Sequence, residues 1–367
     1  MNPEHLKANP DLKKDSKPLV SVILAGYNEE AIAEKHLHLI CEYMKSLENE
    51  FKWELIFVND GSTDNTGKIV DAFSKNYNNV FVCHHKVNLF LGNALRTGFN
   101  KSRGDYVVTI DMDLSYSLKH IKEMLDKLIE TDADVILASP YMKGGKVTKV
   151  PFMREFMSRM VNRFLSFTSY EKIYTFTGMT RAYKGKFLKH LNLKARDFEI
   201  NPEIIYKALL LRARIVEIPA HLDWSNLIFK GKKRTSSMRL FRGIISGLMS
   251  GFIFKPYMFF ITIGLILLLI SLYVIVWIFI NTFYVYPNIS PAFTSIEERF
   301  SEAVAQVFRV RPYSFIVGGI TLVIALQFLS IGFLSLQSKR YFEELFHINT
   351  TILKKMHSSF EPKDNIN

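Results

Sequence analysis

Cysteine is scarce in this 367-residue chain, which holds only Cys41 and Cys83. Both fall in stretches that read as helix and strand cores. They exclude a disulfide framework and a thiolate zinc site, and they fit buried thiols in a reducing compartment. A secretory signal is missing too: residues 1–17 are polar and lysine-rich, and the first apolar stretch begins at Leu19. No GxGxxG and no GKS or GKT follows a strand-like run, which removes the dinucleotide and P-loop fingerprints. Zinc-finger and RNA-binding signatures are absent, so the net charge of +12 does not point to nucleic acid. Much of that positive excess lies beside apolar spans, where a membrane surface explains it better.

Charge is itself lacking in two places. No Asp, Glu, Lys or Arg occurs between Lys255 and Glu297, nor from Pro312 to Ser338. Each stretch exceeds the roughly 20 residues that cross a hydrocarbon core of about 30 Å. The reading is a transmembrane helix over 255–281, an extracytoplasmic loop over 282–312, a second transmembrane helix over 313–337 and a cytosolic tail over 338–367. Lys230, Lys232, Lys233, Arg234, Arg239, Arg242 and Lys255 precede the first span, and Lys339, Arg340, Lys354, Lys355 and Lys363 follow the second. The loop has only Arg299, Arg309 and Arg311, so the positive-inside bias keeps both ends in the cytosol. Residues 238–254 place Leu240, Phe241, Ile244, Ile245, Leu248, Met249, Phe252 and Ile253 at helical spacing beside Arg239 and Arg242. That pattern reads as an interfacial amphipathic helix, with packing on the soluble domain as the alternative. Gly318-Gly319 would permit close helix packing and leaves a homo-oligomer open.

Residues 18–237 read as one α/β domain. β-branched runs near 19–25, 53–59, 80–84, 106–111 and 135–139 alternate with amphipathic stretches, which implies a parallel sheet covered by helices. Ligands bind such sheets outside the carboxyl ends of the strands. The run Tyr106-Val107-Val108-Thr109-Ile110 ends there in Asp111-Met112-Asp113, and strand alternation would turn both carboxylates the same way. Paired carboxylates suit Mg²⁺ or Mn²⁺ with substrate phosphates completing the shell. After the second run, Gly61 supplies a turn and Ser62 or Thr63 reads as a helix cap. Asp60 offers a carboxylate to a nucleobase or ribose, and Tyr27 a ring for stacking or packing. His84 and His85 lie at a strand end without a catalytic part.

The ordered set Tyr27-Asn28-Glu29, Asn59-Asp60-Gly61-Ser62-x-Asp64, Gly92-Asn93-Ala94-x-x-x-Gly98, Gly104-Asp105 and Asp111-x-Asp113-Leu114 resembles family-2 glycosyltransferases of the GT-A fold. More narrowly, it is similar to the polyprenyl-phosphate (dolichyl-phosphate type) sugar synthases, over about residues 18–240, and the two apolar spans fit their membrane-anchored bacterial-type branch. The resemblance implies a GT-A, Rossmann-like, mainly parallel sheet, in which Tyr27, Asn28, Glu29 and Asp60 hold the nucleotide of an activated sugar. It implies that Asp111 and Asp113 contact ribose and diphosphate through Mg²⁺ or Mn²⁺ as the catalytic and metal-binding pair. Ser115 stands where the family often has Gln, Pro140 where it usually has Arg, and Phe90 where Gly is common. Anionic acceptor binding then falls to Arg154, Arg159, Arg181 and the basic loop containing Lys232 and Arg234. Glu203 reads either as part of the sugar pocket or as a helix cap.

The expected reaction is transfer of a sugar from a nucleoside-diphosphate sugar to a polyprenyl phosphate at an inner or plasma membrane. Direct attack inverts the anomeric centre. The acceptor oxyanion needs no strong general base, because the second phosphate pKa is about 6. A polysaccharide synthase or another glycolipid transferase is the alternative, although Gln306-Val307-Phe308-Arg309-Val310 lacks the Trp of the processive motif. A catalytically silent scaffold would have lost the Asp pair, which is present.

Overall fold

The computed structural model describes residues 17–169, 171–225, 256–290 and 295–360. Two compact units divide after Ser250. In the first, nine strands are described: β1 (Leu19–Gly26), β2 (Lys52–Asn59), β3 (Val80–His84), β4 (Tyr106–Thr109), β5 (Val135–Ser139), β6 (Lys146–Thr148), β7 (Arg181–Lys184), β8 (Ile215–Pro219) and β9 (His221–Asp223). Seven form one sheet in the order β3-β2-β1-β4-β7-β5-β8. There β7 runs antiparallel to β4 and β5 and every other pair is parallel. A small second sheet pairs β6 with β9. The helices are α1 (Ala33–Ser46), α2 (Thr66–Ser74), α3 (Leu91–Lys101), α4 (Lys119–Thr131), α5 (Phe152–Thr168), α6 (Gly185–Lys189) and α7 (Ile200–Leu210). The mainly parallel mixed sheet with helices is the expected fold class.

The central strands read as continuous apolar runs because both faces are covered. On one face Val20, Val22 and Leu24 of β1 belong to a core with Leu37, Ile40 and Met44 of α1 and Ile121, Leu125 and Leu128 of α4. On the other, Ile23 of β1 and Ile56 and Val58 of β2 join Leu95 and Phe99 of α3 and Ile204 and Ala208 of α7. Helices on both faces leave the strand ends as the accessible rim. From β1 the order runs outward through β2 to β3, and in the other direction through β4. The carboxyl ends of β1 and β4 therefore flank the point where connections diverge, which is where a parallel sheet opens a crevice.

The second unit holds α8 (Pro256–Val285), a short 3₁₀ turn at Tyr286–Asn288, α9 (Ile296–Val310) and α10 (Pro312–Phe360). Helices α8 and α10 are long and apolar enough to cross a membrane. Most of their described large side chains point outward. Small residues carry the contact between them. The Ser271 hydroxyl donates to the Gly318 carbonyl at 3.0 Å, and a Cβ on Gly264 or Gly332 would stand 2.8 Å from Leu329 or 2.6 Å from Ile261. A Cβ on Gly318 would meet Val274 in the same way, whereas one on Gly319 would point into open space. The expected loop contains α9, started by a capping box in which the Ser295 hydroxyl accepts from the Glu298 N–H while the Glu298 side chain returns to the Ser295 N–H. Helix α10 also continues through the segment expected as a tail. The interfacial helix expected over 238–254 lies outside the described residues.

Candidate active site

The β4 ladder ends at Thr109, two residues before the first carboxylate. Ile110 still donates its N–H to the Ile23 carbonyl at 3.3 Å, and the chain then turns, with the Leu114 N–H on the Asp111 carbonyl at 3.2 Å. Leu114 closes that turn at φ +50. Asp111 and Asp113 thus sit on a turn beyond the strand, and the turn rather than strand alternation sets their directions. Two bonds fix it. His36 of α1 donates through Nδ1 to the Met112 carbonyl at 2.8 Å, and Asp113 Oδ1 accepts the Ser115 N–H at 3.0 Å.

Burial, and next the negative charge of Asp113, push the Asp111 carboxyl up to about 7. Desolvation and a neighbouring negative charge disfavour the charged form of Asp111, and a cation beside it would relieve that cost. Among the described residues, no group of three or more His, Cys, Asp and Glu side chains is placed to hold a metal ion. Two carboxylates alone would leave the other positions around a cation to substrate phosphates and water. Hard, oxygen-preferring Mg²⁺ and Mn²⁺ are bound in that way.

The residues expected on the nucleotide side gather where β1 and β2 end. Asp60 donates its N–H to the Gly26 carbonyl at 2.9 Å. Its buried carboxylate uses Oδ1 for His85 Nδ1 at 2.6 Å and for the Leu89 N–H at 3.0 Å. His85 Nε2 in turn lies 2.9 Å from the Thr97 hydroxyl. His85 and Thr97 carry no motif, and only the neighbouring strand end hints at His85. Asn28, at φ +57, is bonded into the fold: its N–H donates to Ser62 Oγ at 3.0 Å and its Oδ1 accepts the Thr63 N–H at 2.8 Å. Ser62 and Thr63 therefore tie two loops together instead of capping α2, whose N-cap is Asn65. The Glu29 N–H donates to Thr66 Oγ1 at 2.8 Å, and the Tyr27 side chain is exposed.

The expected acceptor-side residues divide between surface and interior. Arg154 and Arg159 lie exposed on α5, with the Arg154 guanidinium 4.2 Å from the Trp224 ring and that of Arg159 4.9 Å from the Tyr141 ring. Arg159 also pairs with Glu155 at 2.7 Å. The pairing of Trp224 with Arg154 has no signal in sequence. Arg181 is corrected: it is 1% exposed, and its guanidinium donates to the carbonyls of Asn201 at 2.8 Å and Phe176 at 2.6 Å. A guanidinium enclosed in the sheet and bonded to backbone cannot reach a lipid phosphate. Glu203 is likewise turned inward, where its carboxylate accepts the N–H groups of Lys194 at 3.0 Å and Ala195 at 2.8 Å and pairs with Lys207 at 2.6 Å. It anchors the segment that crosses the start of α3, where the Asn93 N–H donates to the Arg196 carbonyl at 3.2 Å. Lys232 and Arg234 lie outside the described residues.

One face of α5 is unusual for a soluble surface. Phe152, Phe156, Met160 and Phe164 recur every four residues and are all exposed, joined by Met153 and Phe167. Asn162 fixes the opposite side, its Oδ1 accepting the Phe176 and Thr177 N–H groups at 2.7 and 3.1 Å. A continuous apolar stripe flanked by arginines marks a contact surface.

A model of the Glycosyl transferase family 2 matches residues 21–191 of the chain. The chain is 27% identical over 238 residues to a dolichyl-phosphate beta-glucosyltransferase of Trichomonas vaginalis, covering 62% of this chain and 72% of that protein. It is 30% identical over 206 residues to a dolichol-phosphate mannosyltransferase of Pyrococcus furiosus, covering 54% and 55%. Among solved structures, glucosyl-3-phosphoglycerate synthase from Mycobacterium tuberculosis with Mn²⁺, uridine diphosphate and glucosyl-3-phosphoglycerate is 18% identical, with a TM-score of 0.47 over 64% of this chain and 80% of that one. A mannosyltransferase from Pyrobaculum calidifontis with GDP-Man and Mn²⁺ is 14% identical, with a TM-score of 0.40 over 95% and 90%.

Proposed function

We propose that the chain is a membrane-anchored, inverting glycosyltransferase that moves a sugar from a nucleoside-diphosphate sugar to a polyprenyl phosphate on the cytosolic face of a bacterial-type inner or plasma membrane. The observation that carries this reading is the acid pair at the sheet's diverging point, with Asp111 raised to about 7 beside Asp113. Such a pair suits a divalent ion and the diphosphate it neutralises. The acceptor class is supported by relatives that carry dolichyl phosphate in their names, and by two apolar helices that would keep the chain at a bilayer.

In this reading Asp111 and Asp113 hold Mg²⁺ or Mn²⁺, which supplies Lewis-acid stabilisation to the leaving diphosphate. Tyr27, Glu29 and Asp60 bind and orient the nucleoside, with Asp60 steadied by His85 and Leu89. The acceptor phosphate is already an oxyanion near neutral pH, so positioning and charge outweigh proton transfer. Arg154, Arg159, Lys232 and Arg234 neutralise that phosphate, while the α5 stripe rests in the interface that buries the prenyl tail. Lysines and arginines at the outer flanks of both spans favour a cytosolic catalytic unit.

The test is a panel of radiolabelled nucleotide sugars supplied to membranes containing the protein, followed by extraction of labelled lipid. Acid-labile polyprenyl-phosphate sugar is expected from one donor. Asp113→Ala should lower turnover at least 100-fold with the protein still inserted, in keeping with roughly 3 kcal/mol or more for an electrostatic contact to a developing charge. Normal turnover in that variant would overturn the proposal.

A further inference from the structure

Phe90 occupies a backbone conformation, φ +70 and ψ 165, that suits glycine. A Cβ opposes that conformation, and core packing does not offset the strain, because the side chain is 48% exposed. A phenylalanine that is both strained and exposed has its ring available for a contact outside its own chain.

Its location indicates which contact. The preceding residue, Leu89, donates its N–H to Asp60 Oδ1 at 3.0 Å. Gly61, at φ +68, lets the Val87 backbone lie where a side chain would be, since a Cβ there would stand 2.2 Å from the Val87 carbonyl carbon. Asn93 Nδ2 donates to the Leu89 carbonyl at 2.6 Å, and the Phe90 N–H donates to Asn88 Oδ1 at 3.2 Å. These bonds hold Phe90 next to Asp60 on the β3 side. On the β1 side, Tyr27 follows Gly26, whose carbonyl accepts the Asp60 N–H. Exposed rings thus leave both flanks of a buried carboxylate. A planar heterocycle matches that arrangement, with donors on its edge for Asp60 and a π-face for the rings.

We infer that Phe90 is a donor-recognition residue whose ring stacks on the nucleobase and sets the preference between nucleoside diphosphates. The inference rests on the nucleotide-sugar reading above. It concerns the base alone, so the diphosphate is an internal control.

The experiment titrates the full-length protein in detergent, with Mn²⁺ present, against uridine diphosphate, guanosine diphosphate and inorganic pyrophosphate. Wild type is expected to favour one nucleoside diphosphate over pyrophosphate. Phe90→Gly should weaken that nucleoside diphosphate about tenfold and leave pyrophosphate unchanged. Because glycine relieves the backbone strain, the same variant should melt no lower than wild type, so lost affinity would not reflect unfolding. Phe90→Tyr should retain the affinity. Equal weakening of pyrophosphate and nucleoside diphosphate, or no weakening at all, overturns the role of Phe90 and leaves the transferase reading intact. Failure of wild type to bind either nucleoside diphosphate removes both.

Discussion

Asp111 carries the most consequential charge in the molecule. In an unfolded chain its carboxyl would titrate near 4, whereas in the folded protein it holds its proton up to about 7. Between those values the folded state binds a proton that the unfolded state does not. The metal-free protein therefore loses stability as pH rises through that window. A divalent ion requires the deprotonated pair and competes with the proton. The rise in Tm on adding Mn²⁺ should accordingly be small at about pH 5.5 and larger at about pH 7.5, and Asp111→Asn should abolish that pH dependence. A gain in Tm that does not change with pH, measured by intrinsic-fluorescence melting, would remove the pair from metal binding. Proximity of the two acids is legible from their spacing. The turn that creates it is not, because His36 and the left-handed Leu114 act through backbone groups that leave no side-chain motif. Arg181 shows the opposite failure. It sits beside Tyr183 in a short strand, and residue type alone does not tell an arginine aimed at solvent from one bonded to carbonyls inside the sheet.

At the scale of elements, β1, β2, β3 and β5 follow the apolar runs closely, since strands buried on both faces have little polar interruption. The antiparallel β7 and the small β6–β9 sheet leave no such trace, being three or four residues long and paired across large sequence separations. In the sequence, helix α5 stands out only for Arg154 and Arg159. Its apolar stripe becomes meaningful once Val161 and Leu165 are placed on the buried side, which leaves Phe156 and Phe164 facing outward. If that stripe rests in the bilayer interface, Phe156→Ser combined with Phe164→Ser should raise KM for a long-chain polyprenyl phosphate in vesicles several-fold. A water-soluble short-chain acceptor should be used as before. Arg154→Ala should instead raise KM about tenfold for both acceptors, as loss of a charge-assisted phosphate contact predicts, with donor affinity unchanged. Equal effects of the two variants on both acceptors would merge the proposed lipid-tail and phosphate contacts into one.

At the scale of the whole molecule, the two long apolar helices are plain in sequence, because a helix packed inside a water-soluble core rarely needs more than ten to fourteen apolar residues in a row. The proposed orientation rests on a bias in basic residues. Arg299 lies 5.2 Å from the Tyr286 ring and Arg311 5.8 Å from that of Trp277, so two of the loop's three arginines are engaged with aromatic faces at the helix ends. Sidedness can be read with a membrane-impermeant maleimide. The native thiols give little background: burial pushes the Cys41 thiol up to about 11, and Cys83 is raised by the same cause. Ser46 at the end of α1 and Ser301 on α9 are both exposed. Ser301→Cys should label in intact cells, while Ser46→Cys should label only after permeabilisation. The reverse pattern would put the acid pair on the side of the membrane that lacks nucleotide sugars, and the cytosolic donor would then have no route to Asp111 and Asp113.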